Sequence, residues 1–154
     1  MSVNNKNVDE FPLYLFYQGK NFEAWKLFGA HSRKKGRSKC YTFRVWAPNA
    51  VSVSVVGDFN EWNRSKNPMY LISDGIWEAE ISKLEQFDIY KYSIETKDGR
   101  ILMKSDPYGV HYETRPATAS KLYESEYKWN DAAWFEEKKK RSIYKSPVNI
   151  YEVH

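Results

Sequence analysis

Cysteine is nearly absent from this chain: Cys40 is the single one in 154 residues, so no internal disulfide can form. That usage suits a reducing compartment, and a cytoplasmic location is the expectation. No apolar run approaches the ~20 residues of a membrane span. The N-terminus MSVNNKNVDE also lacks the apolar segment of a secretory signal, so neither export nor membrane insertion is expected. Histidine is scarce too. His31, His111 and His154 share no ligand spacing, and beside a lone cysteine they give no metal site. No glycine-rich phosphate loop or nucleophile elbow is present, and no cofactor is expected.

Charge of one sign is also limited. The formal net charge is +4, and its visible clusters are Arg33 to Lys39 and Lys138 to Arg141. The two are separate, they are not interleaved with aromatics, and Glu136-Glu137 precedes the second. They read as solvated loop and helix faces, so no nucleic-acid partner is expected.

What the chain does have is aromatic mass, with eight Phe, twelve Tyr and six Trp. A chain of this length buries roughly 70% of its unfolded surface as one domain and needs no disulfide or metal to hold it. Tyr41, Phe43 and Val45 alternate with Thr42 and Arg44, and Val51, Val53 and Val55 alternate with Ser52 and Ser54. Both segments are therefore strands with one apolar and one wet face, read as a hairpin through the Pro48-Asn49 turn. Further strands are expected near 69–72, 76–81, 89–96, 100–104 and 117–123. Asp74-Gly75 and Lys97-Asp98-Gly99 mark the tight connections. Seven short strands with turn signals between them predict an all-β, immunoglobulin-like sandwich.

Two short helices flank it in this reading. Asn21 caps one in which Phe22, Trp25 and Phe28 share a face and Gly29 is the stop. Asp131 caps a connector helix with Lys138 to Lys140 at its C-terminal end. The expected organisation is a flexible N-terminus (1–13), a helix and basic loop (14–39), the sandwich (40–124), a connector (125–148) that Ser146-Pro147 ends, and a last strand (149–154).

FRVWAPNA followed by VSVVGDFNEW resembles the family 48 carbohydrate-binding module at the front of glucan branching enzymes. YLFYQGKNFEAWKLFGAH upstream, and YKYSIETKDG, KSDPYG, ETRPATAS and NIYEVH downstream, continue the resemblance in order from Tyr14 to His154. It implies that NIYEVH is similar to the first strand of a catalytic (β/α)8 barrel. Such a barrel needs about 250 residues. A retaining transglycosylase needs two carboxyl groups flanking the bond it cleaves, and the family carries them on barrel strands that this sequence does not contain. No catalytic residue is assigned.

An α-glucan presents apolar ring faces and a rim of hydroxyls, so its site needs an exposed aromatic plane beside fixed polar groups. Trp62 is the candidate plane. It sits in the polar loop FNEWNRSKN without a periodic reason and is similar to the glucan-stacking tryptophan of the family; the alternative is that it folds back over the sandwich edge. Lys91 takes the outward parity beside Tyr90 and Tyr92 and matches the lysine of the family's YKY block; the alternative is a solvated strand face. Asn60 can offer an amide to sugar or satisfy its own loop. A second tryptophan after the Asp-Gly turn is replaced here by Arg100-Ile101-Leu102, which implies weak binding. Trp25, Trp46, Trp77, Trp129 and Trp134 read as packing residues or contacts to the barrel. Asp106 before Pro107 reads as turn chemistry, and Arg115 as a partner of Glu113 or of the barrel.

The resemblance implies a glucan-binding accessory module of a 1,4-α-glucan branching enzyme, which makes α-1,6 branches in glycogen. Its expected partners are α-1,4-glucan and the enzyme's own barrel, with weak self-association of the detached piece. Two alternatives stay open: a structural adaptor that packs on the barrel without holding sugar, and a regulatory glucan-binding scaffold.

Overall fold

A computed structural model describes residues 10–35, 38–145 and 147–153. The chain divides into two compact units, Met1–Glu124 and Ser125–His154. Among the described residues of the first, eight strands form two antiparallel sheets. β1 (Gly29–Lys35), β2 (Ser38–Trp46), β4 (Tyr70–Ser73) and β5 (Ile76–Ser82) build the first sheet in the order β1-β2-β5-β4. β3 (Ala50–Gly57), β6 (Ile89–Thr96) and β7 (Ile101–Lys104) build the second, and β8 (Ser120–Lys121) pairs with β6 beyond the end of β7.

The core lies between the sheets and follows the period-2 pattern. Tyr41, Phe43, Val45, Ala79 and Ile81 face Val53, Val55, Tyr90, Tyr92 and Leu122, and the Phe43 and Tyr90 rings meet edge-on at 5.1 Å. This is the predicted immunoglobulin-like sandwich, but β2 and β3 are not a hairpin. They belong to different sheets, and the Pro48-Asn49 turn carries the chain across the sandwich. Alternation shows which face of a strand is apolar; it cannot distinguish a neighbour in the same sheet from a partner across the core. The two Asp-Gly connections do join hairpins, β4 to β5 and β6 to β7, with Gly75 and Gly99 at φ +71° and +79°.

The segment 14–39 differs from the expected helix and basic loop. The N-terminal helix α1 is Glu10–Tyr17, while Phe22 to Phe28 form only a 3-10 turn at Ala24–Lys26. Asn21 spends its amide locally, accepting from the Glu23 amide at 2.9 Å and donating to the Pro12 carbonyl at 3.0 Å. The basic stretch is the edge strand β1, paired along its length with β2; Gly36 and Arg37 lie outside the described residues, as do residues 1–9. α1 lays Leu13 and Phe16 on the outer face of the first sheet. There they join Leu27, Phe28, Ile72, Ile76 and Tyr108 in a second, smaller core, with Trp46 edge-on to Phe16 at 5.5 Å. Arg44 and Glu78 continue that face as a nearly buried ion pair at 2.6 Å.

In the second unit α2 spans Ala132–Lys140. Asp131 stands at its N-cap position, but its carboxylate makes no capping bond. The segment expected as a strand at 149–154 has no strand pairing over the described residues 147–153, and Ile150, Tyr151 and Val153 are exposed. Ser146 and His154 lie outside the described residues.

Candidate functional site

The candidate site grows from the end of β3. At Gly57 the chain leaves the second sheet and makes a 3-10 turn over Asp58–Asn60, after which Glu61 and Trp62 both take the left-handed conformation at φ +58°. Non-glycine residues rarely adopt that region, so two in succession require a loop fixed by its surroundings. Asn60 supplies part of that. It is 3% exposed, its Oδ1 accepts from the Gly57 amide at 3.0 Å, and its Nδ2 donates to the Val55 carbonyl and to Asn67 Oδ1 at 2.9 and 2.7 Å. Both amide donors are therefore spent on the loop. Of the two roles open to Asn60, these bonds serve its own loop.

Trp62 stays partly exposed and outside the core between the sheets. Its side chain leaves the residue 37% exposed, its backbone N–H donates to the Gly57 carbonyl at 2.9 Å, and its indole Nε1 donates to Asp58 Oδ1 at 2.8 Å. With the N–H engaged, the ring faces are what the indole can offer a ligand. Nearby, Lys66 pairs with Glu61 at 2.7 Å and lowers the Glu61 carboxyl from its ordinary range.

Lys91 stands at the same end of the sheet, because β6 places it opposite Val56 and places Tyr90 opposite Gly57. It takes the outward parity as expected, and its Nζ donates to Thr118 Oγ1 at 2.7 Å. Thr118 was not singled out in the sequence. It is exposed, lies 27 residues from Lys91, and has no periodic signal that could have revealed the contact. Ser93, the next outward residue of β6, is buried in register between Ser54 and Met103. Beyond it, Glu95 meets Ser52 and Arg64.

Asp106 is the other residue whose role the sequence understated. It does shape its turn, accepting from the Tyr108 amide at 2.8 Å through Oδ1, but it is also the centre of a buried network. Tyr90 and Tyr92 donate to its Oδ2 at 2.7 and 3.0 Å, and its own amide donates to Ser120 Oγ at 2.8 Å. Those bonds tie β8 to β6 two residues from Thr118. Burial raises the Asp106 carboxyl above its usual range, against the three donors, which favour the ion. The same burial pushes both tyrosine hydroxyls far up.

The remaining tryptophans are spoken for or lie elsewhere. Trp77 packs on the core and donates to the Ala47 carbonyl at 3.1 Å. Trp129 is edge-on to Tyr127, and Trp134 to Phe135 with Lys138 over its ring. A shallow groove beside α2, lined by Trp134, Phe135 and Lys138, belongs to the Ser125–His154 unit. No group of three His, Cys, Asp or Glu among the described residues is arranged to hold a metal ion.

A two-sheet module with a hydrogen-bonded, partly exposed indole at one sheet end is what this architecture defines. The model for carbohydrate-binding module 48 (isoamylase N-terminal domain) matches residues 27–109, and the chain belongs to that family. The chain is 45% identical over 147 residues to the 1,4-alpha-glucan branching enzyme of Bacillus cytotoxicus, covering 94% of this chain and 23% of that enzyme. It is 43% identical over 150 residues to the same-named enzyme of Bacillus cereus, covering 96% and 23%. This chain thus spans about a quarter of the length of these relatives. Among solved structures, a pullulanase from Bacillus acidopullulyticus superposes with a TM-score of 0.51 at 23% identity, over 63% of this chain and 12% of that one. One from Paenibacillus barengoltzii, solved with maltotetraose, gives 0.52 at 21% identity, over 63% and 14%. At such identities these two establish likeness of fold alone.

Proposed function

We propose that this chain is the N-terminal glucan-binding module of a cytoplasmic 1,4-α-glucan branching enzyme that forms α-1,6 branches in glycogen. Trp62 stacks on a glucose ring of the donor chain, and Lys91 and Thr118 meet its hydroxyls. The observation that carries this reading is the exposed, pinned indole at the same sheet end as a lysine with two further donors available. The names and high identity of the branching-enzyme relatives support the parent activity. The chemistry itself falls to the part of such an enzyme that this chain does not match. With one stacking plane, affinity is millimolar, about 4 kcal/mol. Affinity electrophoresis in gels containing glycogen tests this: wild type is retarded, Trp62→Ala migrates as in sugar-free gels, and equal mobility of the two in glycogen contradicts the reading.

A second reading, an adaptor that docks on the rest of the enzyme, is favoured by a different observation. Phe11, Tyr14, Phe22 and Trp25, on and just after α1, are all exposed, Phe22 by 93%. Separate patches can serve both roles. A full-length enzyme that keeps its branching rate with Trp62→Ala and Lys91→Ala combined would leave the adaptor role alone standing.

A further inference from the structure

The loop that carries Trp62 returns to β3 through backbone bonds of Asn67 and Met69, and two side chains anchor it in between. Its stem is fixed by Asn60, and its far side is fixed by Arg64, which reaches back over the outer face of the second sheet. There Arg64 Nη2 donates to Glu95 Oε2 and to Ser52 Oγ, each at 2.9 Å, while Ser52 Oγ donates to the same Glu95 oxygen at 2.7 Å. Ser52 and Glu95 are cross-strand partners on β3 and β6, next to a register shift between Ala50 and Ser52, so the guanidinium closes a triangle across the two strands. Trp62 sits between the two anchors, in a backbone conformation that a free loop would leave.

We propose that Arg64 is a positioning residue for the Trp62 plane, latching the loop through Glu95 and Ser52 so that the indole is set before a sugar arrives. This rests on the reading of Trp62 as a glucan contact. The Arg64 and Glu95 side chains are each about one-third exposed, at 36% and 35%. Pairs so wetted contribute little to global stability. The effect of the latch is therefore local: the loop's return to β3 is secured separately by the Val55–Asn67 and Met69–Val53 backbone bonds and by Asn60 on Asn67, which leaves Arg64 to supply the side-chain bonds that residues 61–66 make to the sheet. Ser52 and Arg64 both bond to the charged form of the Glu95 carboxyl and hold it below its ordinary range. Preorganising a binding group in this way raises affinity by removing the ordering cost from the binding step.

The test compares wild type, Arg64→Ala, and the reversed pair Arg64→Glu with Glu95→Arg by the 15N heteronuclear NOE of the Trp62 indole, with the Trp77 indole as internal reference. Maltoheptaose is then titrated into each. Arg64→Ala is expected to lower the Trp62 NOE while Trp77 and the melting temperature hold, and to weaken maltoheptaose binding by roughly three- to tenfold. The reversed pair is expected to restore both. An unchanged Trp62 NOE, equal loosening of Trp62 and Trp77, or a loosened indole with unchanged affinity would each overturn the role of Arg64. Wild-type protein that binds no maltoheptaose overturns the glucan reading itself. The NOE arm needs no sugar, so the two failures are told apart.

Discussion

Asp106 accepts hydrogen bonds from Tyr90, Tyr92 and the Tyr108 amide while its own amide and carbonyl engage Ser120 and Tyr112. Its carboxyl titrates above the ordinary range in the folded protein because burial disfavours the charge. The folded state therefore holds this proton more tightly than the unfolded chain, where Asp titrates near ~3.9. As pH rises from there through the raised folded value, the unfolded state gives up its proton first and stability falls by the Asp106 contribution. Asp106→Asn cannot ionise, and both proteins share the lowered carboxyls of Glu61, Glu95, Asp98 and Glu124, so urea denaturation from pH 4 to 7 is expected to show wild type losing stability relative to the variant; parallel curves would contradict it. Asp106→Ala is expected to cost about 2–3 kcal/mol at neutral pH by stranding the buried Tyr90 hydroxyl and leaving that of Tyr92 only the Arg44 carbonyl at 3.5 Å. At the proposed glucan site, Lys91→Ala is expected to weaken maltoheptaose binding by about 1 kcal/mol, a few-fold, with little change in melting temperature.

At the scale of elements, the departure of the Trp62 loop depends on Gly57. Its φ is fully extended, so no left-handed strain is involved; a Cβ there would lie 2.1 Å from the Ile89 carbonyl and 2.6 Å from the Phe59 ring. Gly57→Ala is therefore expected to destabilise the fold by about 1–3 kcal/mol and to shift the Trp62 indole resonance, by thermal melts and NMR. The strands around this point were legible because Val53, Val55, Tyr90 and Tyr92 alternate cleanly, and the Asp-Gly turns were legible because their chemistry is local. β1 was not. GAHSRKK carries the basic composition of an edge strand, which blocks further pairing but resembles a loop in sequence. The sheet assignment of β2 and β3 was equally hidden, since both present the same apolar parity to one core. Trp62 and Lys91 stand out as candidates through loop polarity, strand parity and the family resemblance of their blocks. Thr118, Arg64 and the Asp106 network do not, because their partners lie 12 to 31 residues away in sequence.

For the whole molecule, three surfaces divide the work. The interior between the sheets holds the module together, and Phe43→Ala, which removes a fully buried ring from its centre, is expected to cost about 3–5 kcal/mol in urea melts. The outer face of the first sheet is covered by α1 and the second core, which leaves its exposed aromatics available to a protein neighbour. The outer face of the second sheet carries Lys91, Glu95 and the anchored loop of Trp62, and it is the surface on which the proposed glucan site depends. The most direct measurement is a 15N NMR titration of the 154-residue chain with maltoheptaose, in wild type and Trp62→Ala. Saturable shifts at the Trp62 indole, Lys91 and Thr118 that vanish in the variant are the predicted result; no shift at tens of millimolar sugar, or shifts confined to other surfaces, would contradict it.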